Sequence, residues 1–234
     1  MRFFEKILKW IYPETFVFCG KVCRQGICES CRKEVFYVGE PCCKKCGKPI
    51  RYEEQEYCHD CQGREVSFEQ GRSIWLHKGL VKQSVYQFKY HNKRAYSKVY
   101  AREMSRLYGA LLQKWNPDVL IPVPLHRKRR RVRGYNQADV LAKEIGRSLN
   151  LPVAYNIVKR HRYTNPQKEL NKRQRNHNLK DAFCVKNLPE EVKKVVIIDD
   201  IYTTGSTIDA IAEKLKEKGV QKVWFLTISI GQGF

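Results

Sequence analysis

A strand-to-helix turn rich in hydroxyl groups constrains the fold of this chain more than any other feature. Residues 195–207 read VVIIDDIYTTGST. The apolar start, residues 195–198, predicts a buried parallel strand, and apolar positions at helical spacing over residues 208–215 predict a helix that ends before Gly219. The polar residues between them therefore lie in a turn at the carboxyl end of a strand.

That turn has the composition of a phosphate-binding site, because backbone N–H groups at a helix start attract anions and glycine allows close approach. The residues expected to hold a phosphate dianion are Thr203, Thr204, Gly205, Ser206 and Thr207. Asp199 and Asp200 would repel the phosphate, so we expect them at the other end of the ligand, where carboxylates bind ribose hydroxyls or a magnesium ion. A strand that merely ends in acids before a capped helix would not explain the hydroxyl cluster and the glycine together. The pattern indicates a sugar phosphate.

The segment resembles the type I phosphoribosyltransferases, whose motif is an apolar run, two acids and then Thr-Gly-Ser/Thr-Thr. The resemblance implies phosphoribosyl pyrophosphate as the ligand, with Asp199 and Asp200 as its catalytic and magnesium-binding acids. It also implies an α/β fold, a parallel sheet with helices on both faces.

Length and charge limit the other possibilities. A chain of 234 residues holds one ordinary domain and a small module, and no apolar stretch approaches the roughly 20 residues that span a bilayer. The start of the chain is interrupted by charges and lacks a signal-cleavage pattern, so we expect a cytoplasmic protein. The net charge of +21 falls mostly after residue 65 and favours a polyanionic partner, although it could serve solubility alone.

Ten cysteines, nine of them before residue 63, predict a metal-binding module, since CxxC pairs in a chain without an export signal favour zinc over disulfides. A first set joins Cys19, Cys23, Cys28 and Cys31, and a second joins Cys43, Cys46, Cys58 and Cys61. Cys42 is spare or replaces Cys43. A closed shell of four thiolates would be structural. Because the spacing from Cys19 to Cys23 is irregular, one zinc ion remains an alternative to two.

The order of elements predicts a parallel α/β sheet with its ligand at the strand ends. Strands are expected near residues 73–77, 119–124, 153–158, 195–198 and 223–230, and helices near residues 81–88, 98–115, 136–149 and 208–215. We expect three regions: a leader (1–18), a zinc-ribbon module (19–64) and a phosphoribosyltransferase-like domain (65–234). A linker over residues 63–71 is expected at the boundary of the last two.

A basic loop is expected after the second strand, and its cations are Arg127, Lys128, Arg129, Arg130, Arg131 and Arg133. Such a loop could close over a pyrophosphate group, follow a nucleic-acid backbone, or simply be solvated. Asn136 can cap the next helix. Residues 160–167 are polar and basic and predict a mobile flap.

The motifs PVPLH (122–126) and RGYNQA (133–138), with the cysteine module and the flap, resemble the ComF family, including ComFC and GntX-type proteins. This resemblance implies a role in DNA uptake during natural transformation, binding of single-stranded DNA, and a ComFA-like helicase as partner. It places the protein in the cytoplasm, with the inner face of the membrane as one possible place of action. By position, Lys89 would belong to a pyrophosphate loop, although a solvated helix-end cation is the alternative.

Three functions fit these residues. The first is a competence protein that binds single-stranded DNA and phosphoribosyl pyrophosphate with magnesium. The second is an active phosphoribosyltransferase of nucleotide salvage, and the third is a sensor of phosphoribosyl pyrophosphate without turnover. The sequence leaves open whether the protein is an enzyme.

Overall fold

The computed structural model describes residues 15–22, 26–161 and 182–232. At its centre is a parallel four-stranded sheet with the order β1-β6-β5-β2. The strands of this sheet are β1 (Gln70–Leu76), β2 (Val119–Pro122), β5 (Lys194–Tyr202) and β6 (Lys222–Ile230). A separate antiparallel pair joins β3 (Val158–Arg160) to β4 (Phe183–Val185). The central sheet confirms the predicted α/β class.

Six helices accompany the strands in the described residues. They are α1 (Glu29–Glu34), α2 (Gly79–Tyr90), α3 (Tyr96–Trp115), α4 (Arg127–Arg133), α5 (Gln137–Leu149) and α6 (Ser206–Lys216). No helix of the described part is both long and apolar enough to cross a membrane.

The sheet separates two apolar cores, because successive residues of a strand project to opposite faces. Val195 and Ile197 of β5 pack with α6 and with the second set of cysteines. Val196 and Ile198 pack on the other side with residues of α2, α3 and α5. Helices therefore cover both faces, as predicted, and the cysteine module contributes to both cores.

The predicted strand over residues 153–158 is wrong. Val153 makes only a single parallel bridge to Leu120 of β2, and the backbone bends over residues 155–157. Strand β3 then begins at Val158, which pairs with Val185 instead of with the central sheet. The apolar residues at both ends of the segment suggested one strand, but the chain turns between them.

The basic segment is a helix and not a loop. In α4, the His126 ring accepts a hydrogen bond from the Lys128 N–H and caps the start, while Gly134 ends the helix with a φ of 73°. Arginine and lysine have good helix propensity, and no proline or glycine interrupts residues 127–133. The charge of the segment suggested a loop, yet charge does not oppose a helix on the surface.

The expected linker over residues 63–71 is partly built into the core. Phe68 is almost fully buried, and its ring meets Phe225 edge-on at 5.1 Å between centroids. Strand β1 begins at Gln70, within the expected linker. The glycines at either end suggested flexibility, but the aromatic ring between them fixes the segment to β6.

Candidate functional site

The hydroxyl-rich residues 203–207, which we call the phosphate turn, connect β5 to the N-terminus of α6. Gly205 caps the helix with a φ of 77°, and a Cβ atom there would lie 2.3 Å from the Tyr202 hydroxyl. Glycine is required here for both reasons. Thr204 Oγ1 and Ser206 Oγ share a hydrogen bond of 3.0 Å. The turn thus brings hydroxyls and a helix N-terminus together, which is the arrangement that binds a phosphate.

The two acids lie within β5 and not beyond it, because the strand continues to Tyr202. Neighbouring residues of a strand project to opposite faces, so the carboxylates of Asp199 and Asp200 point apart. Asp200 is only 9% exposed, and its Oδ1 lies 2.8 Å from the Nζ of Lys89. The Lys89 side chain, at the end of α2, is 16% exposed. Lys89 is therefore not a solvated helix-end cation.

Asp199 has a different environment. Its Oδ1 accepts a hydrogen bond of 2.8 Å from the Asp200 N–H, and the residue is only partly buried. Burial, and next the charge of Asp200, raises the pKa of Asp199 to about 7. Asp199 is thus the more exposed carboxyl group of the pair. A hydrogen-bond donor or a cation beside it would favour the ionised form.

His77 follows β1 and was not among the residues expected at the site. Its Nδ1 lies 2.9 Å from the Ser229 Oγ, and its backbone N–H donates to the Ile230 carbonyl oxygen. Burial, and next the charge of Lys89, lowers the pKa of His77. The available signal was its position at the carboxyl end of a parallel strand, where such folds bind ligands.

The chain just after Cys61 holds the phosphate turn. Arg64 Nη1 donates to the Thr204 carbonyl oxygen at 2.9 Å, and its Nη2 contacts Asp209 of α6 at 3.1 Å. The Ser67 N–H donates to the other oxygen of Asp209 at 2.7 Å. Arg64 and Asp209 were missed, because only the fold brings residues about 140 positions apart into contact.

The second cysteine cluster consists of Cys43, Cys46, Cys58 and Cys61, all buried, with every sulfur within 4.8 Å of the others. Cys46 and Cys58 sulfurs are 3.6 Å apart. A tetrahedral zinc ion with Zn–S bonds of about 2.3 Å places sulfurs about 3.8 Å apart, so the cluster fits zinc. The Cys42 thiol instead donates to Glu40, and burial raises its pKa to about 11. Cys43, not Cys42, belongs to this cluster.

The first cysteine cluster consists of Cys19, Cys28 and Cys31, whose sulfurs also lie within 4.8 Å of one another. Cys23, the fourth expected ligand, lies outside the described residues. The Ser30 side chain is 3.3 Å from the Cys28 sulfur, and hydrogen bonds from Ser30 and next from the Cys31 N–H lower the pKa of that thiol to about 7. The cluster is more open than the second, since Cys19 is exposed.

Helix α4 begins beyond the carboxyl end of β2 and has no buried residue. All six expected cations lie on it: Arg127, Lys128, Arg129, Arg130, Arg131 and Arg133. Asn136 caps the next helix, as predicted, by accepting from the Ala138 N–H, and its amide donates to the Val123 carbonyl oxygen. The expected flap lies almost wholly outside the described residues, because residues 162–181 are not among them.

Comparison with known proteins agrees with the two expected parts of the chain, the cysteine module and the phosphoribosyltransferase-like domain. A double zinc ribbon model matches residues 7–62, and a phosphoribosyl transferase domain model matches residues 89–229. The alignment with the structure of the purine phosphoribosyltransferase of Pyrococcus horikoshii covers 54% of this chain and 72% of that chain at 19% identity, with a TM-score of 0.34.

Three curated relatives cover most of the chain. Competence protein F of Haemophilus influenzae is 33% identical and aligns with 86% of this chain and 89% of its own. Competence protein ComFC of Bacillus subtilis is 28% identical over 83% of this chain and 80% of its own. DNA utilization protein YhgH of Escherichia coli is 29% identical over 86% and 89%.

Proposed function

The chain belongs to the ComF family, in which a double zinc ribbon precedes a phosphoribosyltransferase domain, and we propose that it acts in DNA uptake as a ComFC-like protein. In this role it binds single-stranded DNA through α4 and phosphoribosyl pyrophosphate with magnesium at the carboxyl end of β5. Relatives named for competence and DNA utilization support the general role.

The observation that carries the proposal is the exposed basic helix near the phosphate turn and Asp199, which together we call the pocket. Six cations on seven residues of α4, without one buried side chain, form a surface that attracts a polyanion. The helix follows β2 at the same end of the sheet as the phosphate turn, because all four strands are parallel. A nucleic-acid strand on α4 would therefore pass close to a ligand in the pocket.

The pocket supports phosphoribosyl pyrophosphate by the chemistry of its residues. The phosphate turn suits the 5′-phosphate, Asp199 suits the ribose hydroxyls or magnesium, and Lys89 carries a positive charge for the pyrophosphate. Magnesium would supply charge neutralisation of the pyrophosphate oxygens. The chain itself orients the sugar between the turn and the acids.

Two further parts of the proposal rest on the family resemblance. We place the protein in the cytoplasm, and we propose a ComFA-like helicase as its partner, with the incoming strand passing from one protein to the other. Co-purification of the two proteins in the presence of single-stranded DNA would test the partner.

The DNA proposal is tested by replacing Arg129, Arg130 and Arg131 with alanine. We expect weaker binding of single-stranded DNA and little change in sequence preference, and the logarithmic salt slope should fall by roughly 0.7 for each phosphate that the variant no longer neutralises. The control removes three exposed cations elsewhere, Lys114, Arg147 and Lys218, and changes the net charge equally. Equal weakening in both variants would contradict a site on α4.

Turnover is the second candidate, because the two acids of β5 lead directly into the phosphate turn and one of them pairs with the cation Lys89. Incubation with phosphoribosyl pyrophosphate, magnesium and nucleobases or single-stranded DNA, followed by measurement of released pyrophosphate, tests it. Release that depends on an acceptor would establish a transferase. Binding of phosphoribosyl pyrophosphate without release would instead favour a sensor.

A further inference from the structure

Two exposed tyrosines stand on the outer face of α2. Tyr86 and Tyr90 are 54% and 51% exposed, and they are one helical turn apart. Their ring centroids lie 4.9 Å apart with an angle of 44° between the planes, and the ring of His91 lies 5.6 Å from that of Tyr86. Rings this exposed contribute little to the core. We call Tyr86 and Tyr90 the tyrosine platform.

The platform is joined to the basic helix α4. The Arg133 guanidinium lies 4.8 Å from the centre of the Tyr90 ring, and its Nη2 donates to the Tyr90 hydroxyl at 3.0 Å. Its Nη1 donates to Gln137, whose amide in turn donates to the Lys89 carbonyl oxygen. The end of α2 and the end of α4 therefore form one continuous surface.

The platform also lies next to the central sheet. Lys89 precedes Tyr90 on α2, and its ammonium group pairs with the buried Asp200 of β5 while the Tyr90 ring is half exposed. One helical turn thus presents a cation to β5 and aromatic rings to the surface.

The charge around the platform selects its partner. No acidic residue occurs over residues 79–102 or 119–138, the two segments that carry α2 and α4. Exposed aromatic rings on segments whose charges are all positive suit a ligand with a negative backbone and flat apolar groups. Single-stranded nucleic acid has both, since its bases stack on aromatic side chains while its phosphates bind cations.

We propose that the tyrosine platform stacks the bases of single-stranded nucleic acid whose phosphate backbone follows α4. The proposal rests on the proposed DNA-binding function and adds the place where the bases are held. Two groups of residues then contribute to the affinity. The cations of α4 supply the salt-dependent part through phosphate contacts, and the tyrosine rings supply a second part through stacking of the bases.

The experiment uses two alanine variants: the single variant Tyr86→Ala, and a double variant that also carries Tyr90→Ala. The controls carry phenylalanine at the same positions, which keeps the rings. Each binds oligo-dT and an abasic oligonucleotide of equal length over a range of salt concentrations. Loss of one stacked base should weaken oligo-dT binding by about 10-fold. The salt slope and the abasic affinity should not change, and the phenylalanine variants should bind as the wild type does.

Two results would overturn the platform while leaving the DNA proposal in place: unchanged oligo-dT binding by the alanine variants, or an equal weakening on the abasic strand. Wild-type protein that binds no oligonucleotide would overturn the DNA proposal itself. Tyr86→Ala removes no atom of the contact between Arg133 and Tyr90, and its affinity for the abasic strand reports any displacement of that arginine. Thermal unfolding of each variant checks the fold.

Discussion

The two cysteine clusters use the same ligand type but are integrated into the protein differently. The second cluster is fully buried and shares a core with Tyr202 of β5 and with α6. The chain that leaves it makes three contacts to the phosphate turn and α6 through Arg64 and Ser67. The first cluster is partly exposed and belongs to the core on the opposite face of the sheet.

The first cluster is attached to the domain by a backbone bridge between Tyr37 and Trp75 of β1 and by one buried acid. Glu103 of α3 accepts hydrogen bonds from Arg32 and Tyr37 of the module and from Arg106 of its own helix; burial raises its pKa, but these hydrogen bonds lower it overall. None of these described hydrogen bonds reaches the phosphate turn. The two clusters therefore differ in what they support: the second is linked to the phosphate turn, whereas the first packs on the opposite face of the sheet. The cysteine spacing does not distinguish these two cases.

The largest expected effect comes from Cys61→Ser in the second cluster. It should remove one zinc ion, unfold this half of the module and abolish binding of phosphoribosyl pyrophosphate. The reason is that such modules fold only with their metal, so the free energy of zinc binding, about 10–16 kcal/mol, is also their free energy of folding. Elemental analysis, thermal unfolding and calorimetry measure these three effects. Cys42→Ser is the matched control, since Cys42 is buried beside the cluster but bonded to Glu40, and it should keep its zinc. Retained ligand binding in Cys61→Ser would show that the second cluster does not support the pocket.

An intermediate effect is expected from Arg64→Ala. The substitution frees the Thr204 carbonyl and leaves the Asp209 carboxylate without its cation, at a cost of about 1–3 kcal/mol. Affinity for phosphoribosyl pyrophosphate should fall about 10-fold in calorimetry, with zinc content unchanged. Arg147→Ala, which breaks an exposed pair with Glu144, should leave that affinity as it is. If the two variants bind alike, Arg64 does not position the turn.

The smallest effect on the pocket is expected from Cys31→Ser in the first cluster. Wild-type protein should hold about two zinc ions, or one if Cys19 and Cys23 are not ligands, and the variant should lose the zinc of this cluster. Affinity for phosphoribosyl pyrophosphate should stay within about twofold, because distant sites act independently. A decrease as large as that of Cys61→Ser would show that both clusters support the pocket.

Much of the fold could be predicted from the sequence where local patterns decide it. The parallel sheet, the main helices and the turn around Gly205 follow from apolar spacing and from one glycine in a left-handed conformation. Residues that act through long-range contacts could not be predicted. Arg64 and Asp209 carry no local pattern, and His77 was marked only by its place at the end of a predicted strand. Asp199 and Asp200 were treated as one acidic pair although β5 directs them to opposite faces.

The proposed pocket for phosphoribosyl pyrophosphate at the end of β5 is tested by calorimetry of that ligand with magnesium. Wild-type protein is compared with the double variant Asp199→Asn and Asp200→Asn. We expect the affinity to fall by about 10-fold or more, roughly the value of one charge-assisted hydrogen bond, while zinc content stays the same. Unchanged affinity in the double variant would contradict the assignment of the pocket.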